Sequence, residues 1–346
     1  MFENLKYFYG SLIVTVLGLI TAYFIGGNTA LFIVAVLAVL EISLSFDNAV
    51  VNATVLKDMN ALWRRRFLTW GILIAVFGMR IVFPVLIVSI FAGVSPWGAI
   101  DIAINTPDVY ATLMSEAHVS VMAFGGAFLM MVGLNFFFDD EKDHWLGALE
   151  KPLSKVGNVK FAAEIFCLLV IASVSIFALS GEEQRTFALS GISGLITFML
   201  IGKLTSMMEA KEEARAKLNN DAAKGGAAMF VYLELLDASF SFDGVIGAFA
   251  ISTNLFIIAI GLGIGAMFVR SLTILLVEKD TLSEYVYLEH GAFYAIIALA
   301  SMMFLKTFMH VPEIVTGLIG AGFIGVAFIH SLIVKKAQNL ASQKGS

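Results

Sequence analysis

Two stretches of the chain place oxygen-bearing side chains where the surrounding sequence is apolar. Leu40-Glu41-Ile42-Ser43-Leu44-Ser45-Phe46-Asp47-Asn48-Ala49 puts two carboxylates, two hydroxyls and an amide inside a run long enough to cross a membrane. Glu234-Leu235-Leu236-Asp237-Ala238-Ser239-Phe240-Ser241-Phe242-Asp243-Gly244 returns to the theme 196 residues later, with Glu41 and Asp237 each six residues before the shared aspartate. Carboxylate, amide, hydroxyl and carbonyl oxygens suit a hard cation such as Mg²⁺, Ca²⁺ or Mn²⁺, whereas Zn²⁺ and Cu⁺ sites favour His and Cys. No histidine lies near either motif; His118, His144, His290, His310 and His330 fall mostly at expected helix ends and read as lone interfacial residues.

A carboxylate at the centre of a membrane helix costs roughly 2.5 to 3.5 kcal/mol on translocation scales, so residues of this kind are functional by default. Glu41, Asp47, Asp237 and Asp243 are expected within the bilayer, with Glu234 nearer the cytoplasmic side and only Arg80 and Arg270 as buried positive charges. Five acids less two arginines leaves an excess of three, to be met by protons, bound cations or both. At about 100° per residue, Glu41, Ser45, Asn48 and Asn52 share a helix face, and Asp47 lies about 120° from Glu41. Either Asp47 faces a separate partner, or the helix unwinds around Ser45 to Asn48 and frees backbone carbonyls, as broken transporter helices do. Gly244, in the place of Asn48, makes a similar break easier in the second motif. Asp47 should lie about 9 Å to the cytoplasmic side of Glu41, and Asp243 as far to the outer side of Asp237, which would set the acids in a ladder across the membrane. Asp47 and Asp243 facing lipid, or both lying on the same side, would end that hypothesis.

The elements that must position these groups follow from composition. With 59% hydrophobic residues, 14% charged residues and a mean hydropathy of +0.89, the chain is far more apolar than a soluble domain, which carries about 25% charged residues. It reads as an all-α polytopic membrane protein with about ten transmembrane helices, at 9–26, 30–55, 67–92, 118–138, 161–180, 186–206, 227–252, 254–277, 290–310 and 313–334. The first run is expected to be a retained helix and not a cleaved signal. Lysine and arginine gather in alternate loops and in the tail, which places both termini in the cytoplasm. The acidic spans are five apart, an odd offset, so equivalent helices cross in opposite directions as two inverted repeats of five, 1–180 and 181–334, followed by a polar tail, 335–346.

Gly78-Met79-Arg80 and Gly265-Ala266-Met267-Phe268-Val269-Arg270 extend the repeat. The connector at 203–226 carries Glu209, Lys211, Glu212, Glu213, Arg215 and Lys217 at spacings of a solvated helix. Gly317, Ala321 and Gly325 form a small-residue stripe for close helix packing or a protomer contact, leaving a homo-oligomer open. Asp139, Asp140, Glu141, Asp143 and His144 form a cytoplasmic acidic cluster that could capture ions, though a charge run there is more often a solvated helix end. The lone Cys167 excludes an intramolecular disulfide and reads as a packing residue.

The first motif, followed by Trp70-Gly71 and Gly78-Met79-Arg80, resembles the first signature of the TerC-like integral membrane proteins, and Asp237 to Asp243 resembles their second. The resemblance covers roughly residues 30–310. It implies a transporter that exports Mn²⁺ or a similar divalent ion from a bacterial cytoplasm across the inner membrane, with Glu41, Asp47, Asn48, Asp237 and Asp243 as ion ligands and Ser45, Ser241, Glu234, Arg80 and Arg270 in support. Gly244 departs from the polar residue common after the second aspartate, which removes a ligand from one half. Proton exchange is the natural coupling, because carboxylates out of water can trade a metal for protons. The expected ligands are thus a divalent cation and protons in a surround of membrane lipid, with no resident cofactor, no nucleic acid and no enzymatic activity. The competing readings are a Ca²⁺ or monovalent cation exchanger, an intramembrane metal-dependent enzyme, and a non-transporting membrane partner that supports secretion or metal loading of exported proteins.

Overall fold

The computed structural model describes residues 2–140, 142, 144–219 and 226–344, and every regular element among them is helical. A 3₁₀ turn, Phe2–Phe8, leads into α1 (Tyr9–Leu44), α2 (Phe46–Asp58) and α3 (Ala61–Leu73). A π-helical stretch, Ile74–Val82, joins α3 to α4 (Phe83–Ala92). Two short helices, α5 (Pro96–Asn105) and α6 (Pro107–Glu116), precede α7 (His118–Phe137), α8 (Gly147–Gly157) and α9 (Ala162–Ala178). The second half holds α10 (Gly181–Asn219), α11 (Ala227–Ile251), α12 (Leu255–Glu278), α13 (Thr281–Glu284), α14 (Leu288–Lys306) and α15 (Glu313–Lys344).

Among the described residues seven helices are long and apolar enough to cross a membrane, or eight if α8 and α9, bent by 105°, form one span. This is an all-α membrane protein. The count departs from the ten expected runs for local reasons: α9 has only 17 residues, α11 carries three carboxylates, and α1 includes two runs in one 36-residue helix. Inside α1 the backbone leaves helical geometry at Gly26 and at Gly27, where φ is 63°. With ψ at −150° this is a region that glycine alone enters readily, and it costs a residue with a Cβ about 1–3 kcal/mol. Before the break Ser11 Oγ lies 3.3 Å from Ser271 Oγ, and Gly18 packs on Ile260 and Ile264; after it, Gly261 packs on Val34 and Leu37, and Gly265 on Ala38 and Glu41. The first arm of α1 therefore runs antiparallel to α12 and the second parallel to it.

The two sequence halves interleave: α1 packs chiefly on α12, and α7 on α10 and α14. Lipid tails are as apolar as leucine, so membrane helices gain association by close contact through small residues. A Cβ on Gly194 would stand 2.3 Å from the Phe124 carbonyl oxygen, and one on Gly265 would stand 2.3 Å from Glu41 Cβ. Of the small-residue stripe on α15, Gly317 is spent inside the chain against Leu44, while Ala321 is exposed and a Cβ on Gly325 would meet nothing within 4 Å. Beyond Met208, α10 continues as helix through the connector to Asn219. The side chains of Glu209, Lys211, Glu212, Glu213, Arg215 and Lys217 lie outside the described residues, as do residues 220–225 and the cluster members Glu141 and Asp143.

The acidic helices correct one expectation. The first motif bends at a single residue, Ser45 (φ −104°, ψ 20°), and does not unwind to Asn48: Ser45 N–H still donates to the Glu41 carbonyl, and Ala49 N–H to that of Ser45. The second motif does not break at all, since α11 runs through Gly244 from Ala227 to Ile251. The unexpected irregularity lies in the neighbouring helix. Pro84 has no N–H to return to the Arg80 carbonyl four residues back, and the turn before it widens so that Phe83 N–H donates to Gly78, five residues back.

Candidate functional site

Glu41 stands one turn before the Ser45 bend, and the second arm of α1 carries it against α12 at Gly265. Its carboxylate is buried at 4% exposure and meets Arg80, whose Nη2 donates to Oε1 at 2.5 Å. Arg80 rises from the π-helical stretch and donates through Nη1 to the Ala75 carbonyl at 2.6 Å. The wide turn thus both aims the guanidinium and supplies a carbonyl to fix it. The other Glu41 oxygen faces α11 at its glycine, where a Cβ on Gly244 would lie 3.0 Å from Oε2.

One to three turns further on, α2 crosses the same partner helix. Asn48 Nδ2 donates to Asp237 Oδ1 at 2.7 Å, with Asn52 Nδ2 at 3.5 Å from the same oxygen. Asp47 points elsewhere, as the helical angle requires: its Oδ1 accepts the Asn48 backbone N–H at 2.8 Å, and its Oδ2 lies against α15 at Gly320. Deeper along α11, Glu234 and Arg270 pack against Gly71, and Arg270 donates to the Phe67 carbonyl at 2.5 Å while its guanidinium covers the Phe67 ring at 3.8 Å. Both Glu234 oxygens lack a hydrogen-bond partner among the described residues.

Asp243 is held by a residue that the motifs do not contain. Lys306, at the end of α14, donates through Nζ to Oδ1 at 2.6 Å and to Oδ2 at 2.8 Å. This pair forms part of the wall of a vestibule of about 700 Å³, which lies among the ends of α6, α11 and α14 and the starts of α7 and α15. Asp243 also lines a much smaller inner cavity of about 30 Å³, with Glu41, Ser45, Asp47, Asn48 and Thr316. A third cavity, of about 20 Å³, adjoins Glu41, Ser45, Asn48, Asn52, Arg80, Asp237 and Arg270. The three are linked through shared walls, Asp243 between the first two, and Glu41, Ser45 and Asn48 between the last two. The second has about the volume of one water molecule in the liquid. Three oxygens here lack a hydrogen-bond partner among the described residues, Asn48 Oδ1, Asn52 Oδ1 and Thr316 Oγ1; Ser241 Oγ also lacks one, but Ser241 lines none of the three cavities. Such orphans are uncommon in a finished core, and oxygens of this kind are the donor type that hard cations take.

Glu41, Asp47, Asn48 and Asp243 therefore meet around one cavity, and Glu41, Asn48, Arg80, Asp237 and Arg270 around the next. Ser45 lines both, while Glu234 stands outside them. Among the described residues no three His, Cys, Asp or Glu side chains converge as a metal-binding group; Glu41, Asp237 and Asp243 each pair with a cationic or amide side chain instead. Lys306 also corrects the charge count, since five acids now face three buried cations and the excess is two. Its signal in the sequence is that no other Lys or Arg occurs between residues 280 and 334.

The histidines correct another expectation. His290 is buried and sits 3.7 Å from Glu150, a carboxylate that also accepts from Trp145 N at 2.6 Å and Tyr294 Oη at 2.9 Å. Trp145 Nε1 in turn donates to His330 Nδ1 at 2.6 Å. His118, half-buried, and His310, exposed, both line the vestibule, so the expectation of lone interfacial histidines fails for His290 and His330.

Comparison with known proteins gives one match. The family described as "Protein of unknown function (DUF475)" matches residues 46–338, so the chain belongs to that family. The match takes in Asp47, Asn48, Asp237, Asp243, Arg80, Arg270 and Lys306, and begins after Glu41. No curated protein and no solved structure matches the chain.

Proposed function

We propose that this member of the DUF475 family is a secondary transporter that carries a divalent cation through the linked cavities, exporting it in exchange for protons. The observation that carries the reading is the buried excess of two negative charges beside unpartnered oxygens. One divalent cation balances that excess, and so do two protons, which is the stoichiometric condition for trading one for the other. The oxygen-only donor set favours a hard ion. Mn²⁺ is the first candidate because of the TerC-like motifs; Mg²⁺ and Ca²⁺ are the comparators.

The contacts at the centre also support inverted repeats. Glu41 and Asp237 are equivalent positions, as are Asn48 and Gly244, and Glu41 lies against Gly244 while Asp237 lies against Asn48. A two-fold relation requires such reciprocity, with i touching j and the equivalent of j touching the equivalent of i. In this reading the cavities near Asp243 open toward the lysine-poor end. The other end is closed by Phe67, Leu56, Met59 and Leu233, and by Trp63 against Gly226. That is one state of an alternating-access cycle. The lysine-rich end and both termini face the cytoplasm of a bacterial inner membrane in this proposal.

The test is Mn²⁺ flux into proteoliposomes with and without a pH gradient, for wild type, Asp47→Asn and Asp243→Asn. Flux that follows the gradient and is lost in both variants is the expected result. Absence of Mn²⁺, Ca²⁺ and Mg²⁺ flux from folded wild-type protein would remove the reading.

A further inference from the structure

The Asp243 pair sits where a cation would enter. Its carboxylate is common to the vestibule and the inner cavity, whereas Lys306 borders the vestibule and does not border the inner cavity. Both side chains are nearly buried, at 9% and 7% exposure, yet the ammonium adjoins about 700 Å³ of space into which a flexible four-carbon stem can swing. The geometry is unlike that of Arg80, whose second nitrogen is tied to the Ala75 carbonyl. Lys306 spends two contacts on one carboxylate, so a single competitor for Asp243 displaces it.

From this geometry we infer that Lys306 is a tethered cation that competes with the transported ion for Asp243 and thereby gates entry from the vestibule. This rests on the transport reading and adds the residue that regulates access to its site. With the cation absent, the ammonium neutralises Asp243 and closes the wall between the two cavities. An arriving divalent ion takes the carboxylate oxygens, and the ammonium withdraws into the vestibule. The inner acids then carry an excess of three against the two charges of the ion, so the released ammonium is held nearby and can reclaim Asp243 when the ion leaves. Entry and release become a single exchange of partners at one carboxylate, which avoids leaving a bare buried charge at any stage.

Occupation of Asp243 by Lys306 raises the apparent Kd by the inverse of the fraction of molecules in which the carboxylate is free. If that fraction is about one in ten, Lys306→Met should bind Mn²⁺ about tenfold more tightly than wild type. Lys306→Arg, which keeps the charge and adds a bidentate fork, should bind it more weakly. The experiment combines Mn²⁺ titration of purified protein with reductive methylation of wild-type lysines read peptide by peptide. Saturating Mn²⁺ should increase methylation of Lys306 severalfold while Lys279 and Lys335 stay level, an effect that a purely structural lysine would not give. If wild type binds Mn²⁺ but Lys306 methylation stays level or falls, the gate is overturned and the transport reading stands. If wild type neither binds nor moves Mn²⁺, Ca²⁺ or Mg²⁺, both fall. Should Lys306→Met fail to fold, the methylation of wild type decides alone.

Discussion

The Asn48 amide donates to Asp237 Oδ1 at 2.7 Å, and this bond joins residues 189 apart in the sequence at the meeting of two acidic helices. It is charge-assisted and buried, so its removal leaves Asp237 Oδ1 with the 3.5 Å approach of Asn52 among the described residues. Asn48→Ala should cost about 1–3 kcal/mol. A lowered melting midpoint in detergent would report that cost, and Mn²⁺ flux should fall with it. Unchanged stability and unchanged flux would mean that the bond positions nothing.

Glu41 and Arg80 form another cross-helix tie, and both are within 5% of full burial. Truncating one partner strands a charge in low dielectric, at about 3–5 kcal/mol, whereas removing both can be far cheaper. Glu41→Gln and Arg80→Met should each melt early, and the double variant should recover much of the loss. Additive effects in this cycle would show that the pair is not a coupled unit. Arg80→Lys should not rescue, because one ammonium cannot easily serve both Glu41 and the Ala75 carbonyl from the position of a guanidinium fork.

The acids themselves are legible in the sequence, because an apolar run has no other reason to carry Glu41, Asp47, Asp237 and Asp243. The fold-back of α1 is legible at Gly26-Gly27 as well, where two runs meet with little between them. Lys306 is not. It ends an apolar helix like any interfacial lysine, and only the packing of α14 on α7, α15 and α2, which brings its end beside Asp243, turns its ammonium toward that carboxylate rather than toward water. Glu150 is hidden for the opposite reason: it stands beside Lys151 in a charged segment, and its burial depends on Trp145 five residues before it and on His290 and Tyr294 arriving from a distant part of the chain. Gly244 misleads in another way. Its intrinsic flexibility suggests a break, whereas the helix is continuous and the glycine is used for the closeness it permits to Glu41.

Gly27 isolates a purely conformational term. Its φ is 63° and a Cβ there would meet nothing within 4 Å, so Gly27→Ala tests backbone strain without a clash. With ψ at −150° the expected loss is about 1–3 kcal/mol, read as a drop in melting midpoint with flux retained. A large loss of folded protein would mean that the turn carries contacts beyond its own dihedral angle.

Gly244 gives the sharpest test of how the two halves meet. Its missing side chain leaves the space that Glu41 Oε2 occupies, at 3.0 Å from where a Cβ would stand. Glu41 cannot retreat freely, since Arg80 holds Oε1 and Gly265 abuts its stem. Gly244→Ala should therefore displace the carboxylate by a few tenths of an ångström to about 1 Å, enough to lower Mn²⁺ flux by about tenfold to a hundredfold. Gly244→Asn, which would copy the first motif into the second, should be worse, because the amide needs room that Glu41 already fills. Near-normal flux in Gly244→Asn would instead indicate that the site tolerates full two-fold equivalence and that Glu41 is free to share its place with a second amide.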